Sequence, residues 1–120
     1  MICTSYFKSA APQERKVCIA KHCPRGWCSH RAPELAPEDP FSPGDWRERY
    51  LGDLRRRFPR DEDLAACLEG VEAAVPDPIL CCYEADPGKC HRRVLAAHVL
   101  ERLGLAIPEW GDDRGSLFGG

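Results

Sequence analysis

The stretch Ile79-Leu80-Cys81-Cys82-Tyr83-Glu84-Ala85-Asp86-Pro87-Gly88-Lys89-Cys90-His91-Arg92-Arg93 joins a run fit for a buried strand to one fit for a helix. Its first five residues are apolar without alternation, the pattern of a strand buried on both faces in a parallel sheet flanked by helices. Asp86-Pro87 then predicts a helix whose stripe is Leu95, Val99, Leu100 and Leu103 and whose stop is Gly104. A carboxylate, Glu84, therefore follows the strand, and a thiol, an imidazole and two guanidinium groups fall in the first turns of the helix. Ligands of open α/β sheets bind in the crevice beyond the carboxyl ends of the strands. A helix N-terminus there favours an anion and can shift Cys90 toward thiolate, which beside His91 makes a nucleophile and base pair.

Upstream, Asp61 to Val75 reads as a helix with Leu64, Cys67, Leu68 and Val71 on one face, ending before Pro76. Before it, Ser42-Pro43 with Asp45 forms a helix start, and Trp46, Tyr50, Leu54 and Phe58 recur every four residues until Pro59. Ile2 to Phe7 and Lys16 to Ala20 read as short strands. Residues 21 to 44 hold five prolines and read as a long loop. The sum is an α/β domain over residues 1–110, with a small, mostly parallel sheet of three or four strands flanked by about three helices. Residues 111–120 form a polar, Gly-rich tail.

Composition bounds the function. In 120 residues, Leu, Ile, Val and Phe number 24 and Gly with Pro number 21, so a modest core carries substantial loops. No apolar run approaches the roughly 20 residues that span a bilayer, and the N-terminus lacks a signal-peptide pattern, so a cytoplasmic protein with no membrane partner is expected. In a reducing compartment eight cysteines mean thiols, metal ligands or catalysis before disulfides. Residues 1 to 31 carry six basic residues against one acid, a charge that suits phosphate.

Residues beyond the central stretch carry a resemblance. Thr4-Ser5-Tyr6-Phe7, Ile19-Ala20-Lys21 with Pro24, Glu34-Leu35-Ala36-Pro37, Tyr50, Leu80-x-Cys82-Tyr83-Glu84 and Cys90-His91-Arg92 together resemble the bacterial domain-of-unknown-function family 488, the YeaO-like proteins. The likeness runs from residue 1 to about residue 110. It implies an α/β fold and a site built from Cys82, Glu84, Cys90, His91 and Arg92, in a family with no settled activity. This chain departs from the pattern in having Ala20-Lys21 where relatives show Ser-Arg, which loses the planar fork that grips phosphate. Cys3, Cys18, Cys23, Cys28, Cys67 and Cys81 are additions.

Three functional readings follow. In the first, a nucleotide or nucleic-acid phosphate is held by Arg92, Arg93, Lys21, Arg25 and Ser5. Cys90 is then the nucleophile or a site-shaping thiol, His91 the proton shuttle and Glu84 the base or the group that orients His91, for hydrolysis or transfer. In the second, zinc or iron is bound by His22, Cys23, Cys28 and His30 of the Pro-rich loop with Cys82 and Cys90, although Cys-x4-Cys is looser than a zinc ribbon. In the third, Ser116-Leu117-Phe118 resembles the end of the sliding-clamp-binding peptide, with Leu117 and Phe118 entering the clamp pocket. Plainer roles compete: Cys81, Cys82 and Cys67 as core, His91 as a packed histidine, and Arg92 and Arg93 as partners of Glu84 and Glu101. His98 lies roughly 10 Å along the helix from His91, too far to share a metal with it.

Overall fold

The computed structural model describes residues 1–28, 30–39, 44–86 and 90–111. Four strands, β1 (Cys3–Tyr6), β2 (Lys16–Cys18), β3 (His30–Arg31) and β4 (Ile79–Cys82), form one sheet in the order β1-β4-β2-β3. Every pairing is parallel. Among the described residues, three α-helices, α1 (Trp46–Arg57), α2 (Asp61–Ala74) and α3 (His91–Leu103), pack with the sheet. No helix among the described residues is long and apolar enough to cross a membrane.

The apolar run at 79–82 became the central strand because both of its faces are covered. All four of its residues are buried, between β1 on one side and β2 on the other. The helices do not share the two faces, however. Val17, Ile19 and Leu80 pack with Tyr50, Leu54, Leu64, Leu68, Leu95 and Val99, so all three helices lie on one face. The other face, with Cys18, Ile79 and Cys81, is covered by Phe7 and Ala11 and by the loop residues Cys23, Trp27, Cys28 and Trp110. Small residues on that face let loops rather than helices approach it.

Strand alternation sorts the side chains. Cys18 pairs in register with Cys81 and both project to the loop face, whereas Cys82, two positions from Leu80, belongs to the helix face. Lys16, also on the loop face, is buried and donates to the carbonyls of Phe7 at 2.6 Å and Ser9 at 2.8 Å, which fastens the turn after β1.

Several sequence expectations need adjustment. The Pro-rich segment is not wholly irregular, since His30–Arg31 pairs with β2 and Pro33–Leu35 forms a 3-10 turn. That segment is bound to α1: Tyr50 Oη donates to the Leu35 carbonyl at 2.6 Å, and the Asp53 carboxylate accepts the Glu38 N–H at 3.1 Å. Helix α3 starts at His91, several residues after Asp86, with Cys90 at its N-cap; Pro87 to Lys89, like Ser42 and Pro43, lie outside the described residues. Leu100, placed on the buried stripe, is 52% exposed, and Ala96 takes the inward position. The stop is as expected, with Gly104 at φ 68°, a conformation that glycine adopts without strain.

One buried charge ties the end of β4 to the rest. Arg92 has no exposed surface and makes a bidentate pair with Glu109, Nε to Oε1 at 3.0 Å and Nη2 to Oε2 at 2.7 Å. Its other donors reach the Glu84 carbonyl, the Ala85 carbonyl at 3.1 Å and Cys82 Sγ at 3.1 Å. Glu109 also accepts from Thr4 Oγ1 at 2.7 Å, beside a parallel bridge between Thr4 and Glu109 that covers the β1 edge. Removing one partner strands the other charge in a poorly solvated place. Arg92→Ala is therefore expected to cost about 3–5 kcal/mol in a urea titration, a loss that replacing a surface arginine such as Arg47 does not produce.

Candidate functional site

The end of β4 and the start of α3 meet on the helix face. Cys82 closes the strand, Cys90 caps the helix and His91 opens it, so two backbone termini present three metal-ligating side chains. Their sulfur and nitrogen atoms all lie within 4.8 Å of one another, the group of that kind found among the described residues. Cys82 and Cys90 meet sulfur to sulfur as a bonded pair, while the six other cysteines form no disulfide. Their Cα atoms are 7.0 Å apart, just beyond the usual 4.4–6.8 Å reach of a disulfide. Two thiolates on a shared cation tolerate that wider spacing.

His91 is aimed by the backbone. Its Nε2–H donates to the Ile19 carbonyl, beyond the end of β2, at 2.6 Å, and its ring stands edge-on to Tyr50 with centroids 5.0 Å apart. This fixes the tautomer and leaves the Nδ1 lone pair facing Cys90 Sγ at 3.9 Å. Metal-bound histidines are held in this way, one nitrogen on a carbonyl and the other on the ion. Burial pulls the imidazole down to about 4, the nearby Arg92 charge acting in the same direction, so the ring is neutral at pH 7. The group that orients His91 is thus the Ile19 carbonyl rather than Glu84.

The three side chains open into a cavity of about 810 Å³. Its walls come from Ala20 to His22, Pro37 to Asp39, one side of α1 from Trp46 to Arg56 and Tyr83 to Glu84, so Trp46 and Tyr83 supply aromatic surface with Tyr50 buried behind them. Lys21, Arg49 and Arg56 bring positive charge, and Glu38, Asp39, Asp53 and Glu84 bring negative charge. Much of this is internally matched: Arg56 pairs with Glu38 at 2.7 Å and Asp53 at 2.9 Å, Arg49 with Asp45 at 3.1 Å, and Lys21 Nζ donates to the Glu38 carbonyl at 2.6 Å. Glu84 is exposed at the rim.

The structure brings Cys82, Cys90, His91, Glu84, Lys21 and His22 to one cavity and leaves the other expected residues out of its lining. Arg92 is committed to Glu109, and Arg93 Nη1 donates to Thr4 Oγ1 at 3.0 Å and the Ile107 carbonyl at 2.9 Å, so neither faces the cavity. Glu109 therefore takes the place expected for Glu84 as the partner of Arg92, while Thr4 and Ile107 stand where Glu101 was expected for Arg93. Ser5 is buried in β1 and lines a separate hollow on the other side of β4, and Arg25 is exposed outside the cavity. His30 belongs to β3. Leu117 and Phe118 lie outside the described residues.

Cys23 and Cys28 do not join Cys82 and Cys90. They lie on the loop face against Cys18, a residue that sequence reasoning left out of every site although its parity with Val17 pointed it toward the loop. Hydrogen bonding with Cys28 pulls the Cys18 thiol down to about 6 despite its burial, and drives Cys28 up.

Because His91 charges in the unfolded chain near pH 6.5 but in the folded one only near 4, the unfolded state binds the extra proton between those values. Stability of the reduced, metal-free protein is therefore expected to fall as pH drops from 6.5 to 4, and His91→Gln to flatten that part of a urea-midpoint profile. Set against family models, curated proteins and solved structures, the chain finds no match in any of the three.

Proposed function

We propose that this chain is a metal-dependent protein of a reducing compartment, in which Cys82, Cys90 and His91 would hold a zinc ion at the wall of the cavity. The observation that carries the reading is the convergence of two sulfurs and a backbone-anchored imidazole on one point. Thiolate and imidazole together suit zinc, or iron as the next choice. The Arg92 N–H on Cys82 Sγ supports a thiolate there and acts from behind the ligand, as outer partners of metal sites do. The likeness to family 488 belongs to the same proposal and directs it to the same residues.

Three protein ligands with an open position is the catalytic pattern of zinc, which lowers the pKa of a bound water to about 7. The reaction proposed is hydrolysis or group transfer in the cavity, for which the metal held by Cys82, Cys90 and His91 would supply an activated water and Glu84 at the rim would take a proton. A substrate with a flat ring and a phosphate would meet Trp46 and Tyr83 with the ring and Lys21 and Arg49 with the phosphate. Arg92 and Arg93 are occupied elsewhere, so the anion-binding role moves to the rim.

The test is cobalt titration of the reduced protein with His91→Ala and Cys90→Ser as variants. The expected result is a tetrahedral thiolate-cobalt spectrum in the wild type, with affinity lowered at least 10- to 100-fold in either variant. An unchanged affinity in both would overturn the reading. Glu84→Gln is expected to bind cobalt or zinc as tightly as the wild type and to lose hydrolysis of a nitrophenyl phosphate ester; undiminished hydrolysis would remove Glu84 from the chemistry.

A further inference from the structure

We propose that Cys18, Cys23 and Cys28 form a second cation site, three thiolates on the loop face of the sheet, separate from the Cys82, Cys90 and His91 centre. Cys18 is fully buried in β2 and projects away from the helices, while Cys23 and Cys28 are half-buried and pack against it from the covering loop. The three thiols are near enough to shift one another's titration, while Cys18 Sγ donates to the Ala20 carbonyl and Cys23 Sγ to the Pro24 carbonyl, each at 3.5 Å. Strand alternation puts the sheet between the two sulfur groups, so neither can borrow a ligand from the other.

The loop is shaped as a two-cysteine turn. Trp27 N–H donates to the Pro24 carbonyl at 3.2 Å, and Gly26 sits at φ 80°, a left-handed conformation that glycine alone takes freely. Cys23 and Cys28 thus leave the two ends of one turn toward a third cysteine in the sheet. The Gln13 side chain donates to the Trp27 carbonyl and, at 3.3 Å, to the Gly26 carbonyl, which fixes the outer side of the turn. Arg31, beside Cys18 and Cys23, is placed to offset the net negative charge of three thiolates on a divalent ion. Cys81, in register with Cys18, is held within the central strand and comes from neither the turn nor its anchoring strand, so it is not counted as a ligand.

The chemistry selects a thiophilic divalent cation, zinc or cadmium. Binding replaces the thiol protons, released to solvent, by metal–sulfur bonds. The group is wider than the Cys82, Cys90 and His91 set, so an ion would draw the Gly26 turn onto the sheet. Its role is then to hold the loop that covers the β2 and β4 face and that supplies Lys21 and His22 to the cavity.

Cadmium titration of the reduced chain, read by thiolate-to-cadmium ultraviolet absorption and by native mass spectrometry, tests this together with two double variants. The expected result is two cadmium ions per wild-type chain, one in C23S/C28S and one in C82S/C90S. Two ions retained by C23S/C28S would overturn the second site, as would a single wild-type ion lost only in C82S/C90S. A single ion lost only in C23S/C28S would support this site and overturn the proposed catalytic centre, and no binding would overturn both. Because C23S/C28S can unfold the loop, trypsin cleavage after Arg25 is followed in the wild type as well. Cadmium is expected to slow that cut at least tenfold, and an unchanged rate would count against the site.

Discussion

A guanidinium with no access to water fixes what the rest of this molecule can be. Arg92 is taken into the protein one position after the histidine that opens α3, and it is satisfied only if the end of β4, residues 84–85 and Glu109 all come to it. A buried charge with an unmet donor is expensive enough to rule out looser arrangements. The pair therefore sets where α3 begins relative to β4. That junction determines the distance between Cys82 and Cys90 and the side on which His91 stands.

The second constraint is the period of two along a strand. It gives β4 two adjacent cysteines that serve different places: Cys81 faces the loops with Cys18, and Cys82 faces the helices with Cys90 and His91. A chain of modest core then uses sulfur twice, once at the helix-side cavity and once where small residues leave room for a covering loop. The two groups come nearest at the end of β2, where the Ile19 carbonyl that aims His91 follows directly on Cys18.

Much of this was legible in the residues. The apolar run at 79–83 and the four-residue recurrence of Tyr50, Leu54 and Phe58 are strong periodic signals, and the strand and the helix stand close to where they indicate. Asp61 opens α2 as expected, with the Asp63 carboxylate accepting the Arg60 N–H at 3.2 Å. Strand β3 was not legible, because two residues carry no period of their own and pair only once β2 is beside them. The placement of all helices on one face depends on which side small residues leave open, a property of several strands together.

The site was legible in composition and not in grouping. Cys82, Cys90 and His91 are near one another in sequence, and the strand-to-helix turn keeps them so. Arg92 and Arg93 looked available because Glu109, Thr4 and Ile107 come from distant positions that give no local sign of a partner. Joining Cys23 and Cys28 to Cys82 and Cys90 presumed that the second strand neighbours the strand at 79–83; it does, as β2 beside β4, but strand parity turns Cys82 to the opposite face.

The most direct measurement is a crystal structure of the reduced protein grown with zinc, with anomalous data collected at the zinc edge. The account predicts an anomalous peak bounded by Cys82 Sγ, Cys90 Sγ and His91 Nδ1, with the Ile19 carbonyl still on Nε2. An ordered Cys82–Cys90 disulfide with no peak beside His91 would contradict it.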